Sequence, residues 1–307
     1  MSTSAAKPTM LVTGAGGMVG SYVQETFSDY DLLLTDQVEG FEQLDVRDPS
    51  AVMSYVATKR PEVVLHLAAA TDVDRCEREP DWAYHSNAIG TQSVALACQR
   101  HGATLVYIST AGVFWGDKPD LYTEFDTPRP ANVYGASKLA GERIVECLLQ
   151  RYYIIRAGWM IGGGKRDKKF VGNVARLLVG GTKPLRIVSD KHGTPTYAKD
   201  LIAGVHRLID TGYHGLYHMA NQGRCTRYDV ALEIRDLLGL GDVNIEPVSS
   251  AYFPLSAPRA RSEAMRNLKL DLLGLNWMRS WQQALREYVV GELHPVLSKL
   301  ASSKESI

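Results

Sequence analysis

The stretch that decides the fold is TMLVTGAGGMVG, residues 9–20, in which a short apolar run leads into spaced glycines. The run at 9–12 is typical of a buried strand, and a helical pattern follows to about Ser28. Gly14, Gly17 and Gly20 let the backbone turn tightly and approach a pyrophosphate at the helix N-terminus. A plain glycine-rich turn is the alternative. The flanking strand and helix favour a dinucleotide-binding βαβ unit.

A second strand pattern, 31–35, ends at an acidic residue that bears on the choice of cofactor. Asp36 lies 22 residues after Gly14. A carboxylate at about this spacing bonds the adenosine ribose 2′-hydroxyl and repels a 2′-phosphate. Residues 37–39 supply no cation to offset that repulsion, although Arg47 is a cation that could reach a 2′-phosphate. The sequence therefore somewhat favours NADH over NADPH, unless Asp36 is only a strand-end residue.

Further strand patterns alternate with helical ones along the first half of the chain, at 62–70, 104–108 and 152–156. Alternation of this kind predicts an α/β fold with a doubly wound parallel sheet of the Rossmann type. Ligands bind beyond the carboxyl ends of the strands in such sheets. The residues that fall at those ends are Gly14, Asp36, Ala69, Thr110 and Gly158.

The sequence pattern changes after Arg156, and this change predicts a smaller C-terminal α/β substrate-binding part. The dinucleotide-binding domain is predicted at 9–157, with 185–212 returning to it. Residues 158–184 and 213–297 are assigned to the substrate-binding part. Residues 1–8 and 298–307 are predicted to be flexible tails.

Composition sets limits on partners and location. Lysine plus arginine equals aspartate plus glutamate, 34 each in 307 residues, so there is no electrostatic reason to expect nucleic acid or an anionic membrane as a partner. No apolar run approaches the ~18 residues of a membrane span. The four cysteines are widely spaced without a C-x-x-C pair, which favours reduced thiols, a cytoplasmic location and no metal site.

A tyrosine and a lysine four residues apart stand in NVYGASKLAGE, residues 132–142, which has a helical pattern. Residues i and i+4 share a helix face, so Tyr134 and Lys138 are predicted to be neighbours. An ammonium favours phenolate, and the pKa of Tyr134 is therefore expected to fall below ~10. A phenol tuned in this way can exchange a proton near neutral pH. A surface pair without chemistry is the alternative.

Taken together, these motifs resemble those of the extended short-chain dehydrogenase/reductase family over Met10 to Val290. The glycine loop, the Ser109-Thr110 pair, Tyr134 and Lys138 match that family's cofactor loop, hydroxyl, tyrosine and lysine. Within the family, the chain is most similar to the dTDP-4-dehydrorhamnose reductases. That narrower similarity comes from Trp159 and from three later stretches, at 190–196, 215–218 and 258–262.

The resemblance implies an NAD(P)H-dependent reductase of a nucleotide-linked 4-keto-6-deoxy sugar, with a homodimer as the candidate assembly. It implies catalytic roles for Thr110, Tyr134 and Lys138, and substrate contacts for Ser109, Trp159 and Arg259. The residues predicted to contact the cofactor are Gly14, Gly17, Met18, Val19, Gly20, Asp36, Asp45, Val46, Ala68, Ala69, Ala70, Asn87, Tyr134 and Lys138.

Two departures from the reductase pattern leave alternatives open. Ala111 stands where these reductases usually have an aspartate, and Tyr22 stands where some have a glutamate tied to a metal, so no metal is carried over. Residues 109–114 also resemble nucleotide-sugar 4-epimerases, which hold NAD tightly, whereas a 4,6-dehydratase would need an acid pair at 111–112. A third alternative is a non-catalytic protein, as in the regulatory beta subunit of methionine adenosyltransferase.

Overall fold

The computed structural model describes residues 6–181 and 184–302. Its main feature is a sheet of seven strands, paired in parallel, in the order β11-β6-β5-β4-β1-β2-β3. The strands of this sheet are β1 Thr9–Thr13, β2 Asp31–Asp36, β3 Glu42–Gln43, β4 Val63–His66, β5 Thr104–Thr110, β6 Tyr152–Ala157 and β11 Gly215–His218. The predicted doubly wound parallel sheet is confirmed. The strand order reverses at β1, where a crevice opens between the loops that leave β1 and β4.

Helices cover both faces of this sheet. The α-helices are α1 Val23–Thr26, α2 Pro49–Lys59, α3 Val73–Arg78, α4 Pro80–Tyr84, α5 Gly90–His101, α6 Val133–Leu148, α7 Phe170–Val179, α8 Ala198–Thr211, α9 Arg227–Leu237, α10 Leu268–Leu272, α11 Trp281–Arg286 and α12 His294–Ser302. Short 3₁₀ segments are Val19–Tyr22, Ala111–Val113, Gly164–Arg166 and Ser250–Tyr252, and π-helical segments are His85–Ile89 and Glu287–Leu293.

Three two-stranded sheets build the smaller C-terminal part. They pair β7 Trp159–Ile161 with β10 Pro195–Tyr197, β8 Leu185–Val188 with β13 Ile245–Val248, and β9 His192–Gly193 with β12 Cys225–Thr226. Two predicted boundaries therefore move. The strand at 215–218 pairs with Tyr153 to Arg156 in the large sheet and not in the substrate-binding part. The strand at 185–188 stays in a small sheet and does not return to the large one.

The core follows from side-chain alternation along the buried strands. In β1, Met10 and Val12 belong to one apolar cluster, while Leu11 belongs to the cluster on the opposite face. Successive side chains of a strand point to opposite faces, and a parallel sheet is covered on both, so its strands are apolar throughout. This double burial fixes the strand ends in space, and the loops that leave them can hold functional groups.

Helix α2, the first helix after β3, begins directly after a residue that caps its N-terminus. Asp48 is the N-cap of α2, where its Oδ1 accepts from the backbone N–H groups of Ser50 and Ala51 at 2.9 and 3.0 Å. We expect Asp48→Ala to lower the free energy of unfolding by about 1 kcal/mol, because those donors lose their partner. Asp48→Ser, which keeps an acceptor oxygen, should cost less. Urea denaturation of both variants measures this, and equal losses would contradict the capping role.

The predicted tails at 1–8 and 298–307 fall partly outside the described residues. Where they are described, the Pro8 carbonyl accepts from the N–H of Asp31 at 2.9 Å, and α12 continues to Ser302. No helix in residues 6–181 or 184–302 combines the length and apolarity needed to span a bilayer. Over the same ranges, no group of three or more His, Cys, Asp or Glu side chains is arranged to hold a metal ion.

Candidate active site

A groove of about 270 Å³ lies at the reversal point of the sheet. It is lined by Gly14, Asp36, Gln37, Val38, Leu44, Val46, Arg47, Ala68, Ala69, Ala70, Trp82 and Ser86. Gly14 has a φ of +73°, and a Cβ there would stand 2.6 Å from the backbone nitrogen of Ala68. Only glycine fits this position, because any side chain would collide with the loop that leaves β4.

The glycines of the loop differ in how close a side chain at each position would come to the rest of the protein. A Cβ on Gly20 would stand 2.2 Å from the Ala15 carbonyl oxygen, so the loop packs tightly there. A Cβ on Gly17 would come no closer than 3.3 Å, to the Gly14 carbonyl oxygen. A Cβ on Gly17 would therefore be a tight contact, but far less obstructed than one on Gly14 or Gly20. The predicted contacts Met18 and Val19 stand where the 3₁₀ segment begins, and Gly163 approaches Met18 from the C-terminal part.

Asp36 lies in the groove as the sequence predicts, and its carboxylate also holds the glycine loop. It accepts from the N–H of Gly16 at 2.8 Å and of Gln37 at 2.6 Å. A carboxylate has about four acceptor positions, so it can still accept from a ribose hydroxyl. Val46 lines the groove, whereas Asp45 does not and forms an ion pair with Arg47 at 2.7 Å. Asp45 therefore adjoins the groove through its ion pair with Arg47, which lines it, and its contact with the cofactor stays a prediction.

Asn87 supports the groove from behind. Its side chain is 1% exposed, donates to the Ala70 carbonyl at 3.0 Å and accepts from the Ala70 N–H at 2.8 Å. It also donates to the Ser137 hydroxyl at 2.9 Å. Asn87 was predicted to contact the cofactor, but the structure places it beneath the 68–70 loop. It fixes the backbone of Ala70, which itself lines the groove.

A second cavity, of about 350 Å³, adjoins the carboxyl end of β5 and extends into the C-terminal part. It brings together Thr110, Tyr134, Trp159 and Arg259, which the sequence predicts as site residues. Thr110 also caps the 3₁₀ turn that follows it, accepting from the Gly112 N–H at 3.0 Å. The Thr110 hydroxyl therefore caps the turn, and Thr110 also lines the cavity.

The pKa of Tyr134 departs from the sequence-based expectation. Burial raises the pKa of Tyr134 to about 12, a hydrogen bond with Thr110 opposes this rise, and the charge of Glu263 adds to it. The expected fall is thus wrong for the protein as described, because loss of hydration outweighs the opposing effect of Thr110. A raised pKa keeps the phenol protonated at neutral pH, which is the state that a proton donor needs.

Lys138 lies on the inner side of the same helix. It is 3% exposed, and its Nζ stands 4.1 Å from the centre of the Tyr107 ring. Burial lowers the pKa of Lys138 to about 7, and the charge of Glu142 opposes this shift. The lysine lines neither the groove nor the cavity as described.

Ser109 does not reach the cavity, contrary to its predicted substrate contact. It is 5% exposed, and its hydroxyl donates to the Oε1 of Glu142 at 2.5 Å. Glu142 in turn forms a buried ion pair with Arg156 at 2.7 Å. Because Ser109 and Thr110 are successive residues of β5, their side chains point to opposite faces and only Thr110 can face the cavity.

Several cavity residues had not been predicted from the sequence. Arg227 is the first residue of α9, and its guanidinium carbon stands 3.8 Å from the Trp159 ring centre and 4.7 Å from that of Phe170. Burial lowers the pKa of Arg227 to about 10. A cation at a helix N-terminus opposes the helix dipole, and this sequence signal could have marked it as functional. The other charged cavity residues missed are Lys191 and Glu263, whereas Lys169 belongs to a glycine and lysine loop, 161–169, whose cations the sequence offers for a diphosphate.

The glycine and lysine loop after β7 contributes one cation to the cavity. Lys169 lines it, and its Nζ donates to the Thr71 hydroxyl at 3.3 Å. Lys165 and Arg166 do not line it. The loop is anchored to the cofactor-binding segment, because the Gly163 N–H donates to the Tyr22 hydroxyl at 2.7 Å and Tyr22 donates to Glu292 at 2.6 Å.

A Rossmann groove, with Thr110 and Tyr134 in the adjoining cavity and Lys138 on the same helix as Tyr134, defines the class of the protein as extended short-chain dehydrogenase/reductase. A family model described as the RmlD substrate binding domain matches residues 8–293, and the chain belongs to that family.

Named relatives agree with this assignment and confirm the narrower resemblance. The chain is 37% identical to a dTDP-4-dehydrorhamnose reductase of Mycobacterium tuberculosis over 284 residues, which is 90% of each chain. The dTDP-4-dehydrorhamnose reductase of Bacillus anthracis, solved in complex with NADP, is 38% identical with a TM-score of 0.87, covering 93% of this chain and 99% of that one. A UDP-glucose 4-epimerase of Thermus thermophilus, at 23% identity and a TM-score of 0.78 over 92% of this chain and 97% of that one, shares the fold.

Proposed function

We propose that this protein reduces a nucleotide-linked 4-keto-6-deoxy sugar, dTDP-4-dehydrorhamnose, with NAD(P)H. The observation that carries the proposal is that Thr110 and Tyr134 line the same cavity beside the glycine-loop groove. The named relatives supply the substrate class. An epimerase is supported only at the level of the fold.

The groove fits a nicotinamide dinucleotide. Gly14 lets the glycine loop lie against the backbone of Ala68, and Gly17 is the glycine beside which the pyrophosphate would approach the backbone. Asp36 would face the adenosine ribose, and Ala68 to Ala70 form a wall of small side chains. When bound, the cofactor supplies the hydride that reduces the keto carbon. Lys138 is the residue that would bond the nicotinamide ribose, as the family resemblance implies.

The chain's own residues would position the sugar and supply the proton. Thr110 donates a hydrogen bond to the carbonyl oxygen, and Tyr134 gives its phenolic proton to the alkoxide that forms. Lys169, Lys191, Arg227 and Arg259 add positive charge to the cavity, and such charge attracts the diphosphate of a nucleotide sugar. The free cysteines Cys76, Cys98, Cys147 and Cys225 support the proposal of a cytoplasmic location.

The test uses dTDP-4-dehydrorhamnose and reduced cofactor deuterated at the transferred position of the nicotinamide. Mass spectrometry of the product measures the label at C4 of the sugar. We expect one deuterium in each reduced sugar. Product without deuterium would contradict direct reduction by the cofactor.

We further propose that NADH is somewhat preferred to NADPH, by roughly tenfold in kcat/KM, because the Asp36 carboxylate bonds the ribose and repels a 2′-phosphate. The pairing of Arg47 with Asp45 supports this, since a paired cation attracts phosphate less. Asp36→Asn keeps the shape of the side chain and removes its charge. It should narrow the preference, mainly by improving kcat/KM for NADPH.

The cofactor proposal is measured as the ratio of kcat/KM values for the two cofactors in wild type and variant. The ratio cancels any loosening of the glycine loop that affects both cofactors equally. A wild type that prefers NADPH, or a ratio that Asp36→Asn leaves unchanged, would show that Asp36 is only a strand-end residue.

A further inference from the structure

The cavity that holds Thr110 and Tyr134 contains one carboxylate among its described lining residues, that of Glu263. The other charged lining residues are Lys169, Lys191, Arg227 and Arg259. Cations donate hydrogen bonds and cannot accept them, whereas a carboxylate only accepts. Glu263 is therefore the strongest acceptor available to hydroxyl groups of a bound sugar in this cavity.

Backbone and side-chain contacts fix the position of Glu263. Its N–H donates to the His192 carbonyl at 2.8 Å, which ties it to β9. Its Oε2 accepts from the Nε1 of Trp159 at 2.8 Å. Within the described residues, Oε1 makes no hydrogen bond. One carboxylate oxygen thus holds the tryptophan, and the other remains available.

The available oxygen and the Thr110 hydroxyl both border the space beside Gly112. Oε1 lies 3.7 Å from the point that a Cβ on Gly112 would occupy, and the Thr110 hydroxyl lies 3.3 Å from the same point. Gly112 has no side chain to fill that space. The charge of Glu263 also raises the pKa of Tyr134, which places the carboxylate within electrostatic reach of the phenol. Glu263 and Thr110 therefore border one small space, and Tyr134 lines the same cavity.

We propose that Oε1 of Glu263 accepts a hydrogen bond from the sugar hydroxyl next to the carbonyl that is reduced, and that it selects substrates which carry this hydroxyl. This inference rests on the proposed function. If Thr110 and Tyr134 hold the carbonyl oxygen, a substituent on the neighbouring ring carbon is the group nearest to Oε1. In a 4-keto-6-deoxy hexose the carbon on one side, C5, bears the methyl group, so the hydroxyl is the one at C3.

The selectivity follows from the cost of an unpaired acceptor. A site built to bond a hydroxyl rejects the analogue that lacks it, because the site's own polar group then loses water without gaining a partner. Glu263 is thus a specificity-determining residue that contacts the sugar. A role limited to holding Trp159 would weaken both substrates alike.

The test compares dTDP-4-dehydrorhamnose with its 3-deoxy counterpart in wild type, Glu263→Gln and Glu263→Ala. We expect the wild type to prefer the hydroxylated sugar in kcat/KM by roughly ten- to a hundredfold. Glu263→Ala should reduce that preference to about threefold or less, through a larger loss of kcat/KM for the hydroxylated sugar than for the 3-deoxy sugar. Glu263→Gln keeps an acceptor without the charge, and its preference for the hydroxylated sugar should lie between those of the wild type and Glu263→Ala. Glu146→Gln is the matched control, because this half-buried carboxylate of α6 pairs with Arg143 and lines neither the groove nor the cavity, and it should keep the wild-type ratio.

A preference that survives in Glu263→Ala, or equal losses for both sugars, would overturn the inference. Calorimetric binding of dTDP-rhamnose and its 3-deoxy counterpart gives the same comparison without turnover. If the wild type reduces neither sugar, the proposed function fails, and this binding ratio still decides whether Glu263 contacts the hydroxyl.

Discussion

Tyr134→Phe should lower turnover by roughly 10² to 10⁴, the range lost with a general acid, while the protein keeps its fold and its cofactor affinity. The substitution removes the phenolic hydroxyl and retains the ring that packs among Ala70, Cys76 and Trp82. Thr110 would still hold the carbonyl, so substrate binding should change less than kcat. Steady-state kinetics with saturating reduced cofactor measure the effect.

Its matched control is Tyr213→Phe, which removes a hydroxyl from a tyrosine that is 56% exposed. We expect wild-type kcat in that variant. The pH dependence adds a second check. Because burial raises the pKa of Tyr134 to about 12, the acid stays protonated at neutral pH and turnover should not fall with rising pH until well into the alkaline range. Near-normal kcat in Tyr134→Phe would contradict the proposed role of Tyr134 as the proton donor.

Gly17→Val should raise the Kd for the cofactor by roughly a hundredfold or more, so that binding is lost at ordinary concentrations, while the protein remains folded. The nearest atom to a Cβ on Gly17 is the Gly14 carbonyl oxygen at 3.3 Å, so the loop must shift slightly to admit the side chain, and circular dichroism checks the fold of the variant. The branch would occupy the space in which the pyrophosphate approaches the backbone. Calorimetric titration with NADH measures the loss.

Gly241→Val is a suitable control, because a Cβ there meets nothing within 4 Å and the residue lies away from both the groove and the cavity. It should leave the Kd unchanged. Circular dichroism of Gly17→Val should match the wild type. Unaltered NADH affinity in folded Gly17→Val would show that the groove is not the cofactor site.

The fold was predictable from the sequence because its determinants are local. The run at 9–12, the glycine turn and the alternation of strands with helices each lie within a short window, and a parallel sheet needs little more. Thr110 and Tyr134 were found for a related reason. Strand ends and a helix start are local features, and a doubly wound topology gathers them at one edge of the sheet.

The features that the sequence did not predict depend on contacts between distant parts of the chain, which no short stretch of sequence contains. The sign of the Tyr134 pKa depends on burial, which the whole fold creates. Arg227 and Glu263 meet Trp159 across 68 and 104 residues of chain, so no spacing motif links them. Ser109 is different, since the alternation of side chains in β5 already excludes it from the face of Thr110.

The measurement that tests the central claim most directly is the stoichiometry between cofactor oxidised and sugar reduced. Purified protein is mixed with NADH or NADPH and a limiting amount of dTDP-4-dehydrorhamnose, and the absorbance of the nicotinamide is followed to completion while the sugar is analysed. We expect one cofactor oxidised for each dTDP-linked 6-deoxy sugar formed, and none when substrate is omitted. Isomerised sugar without net oxidation would indicate an epimerase, and cofactor binding without turnover would indicate a regulatory subunit. Either result would contradict the proposed reductase.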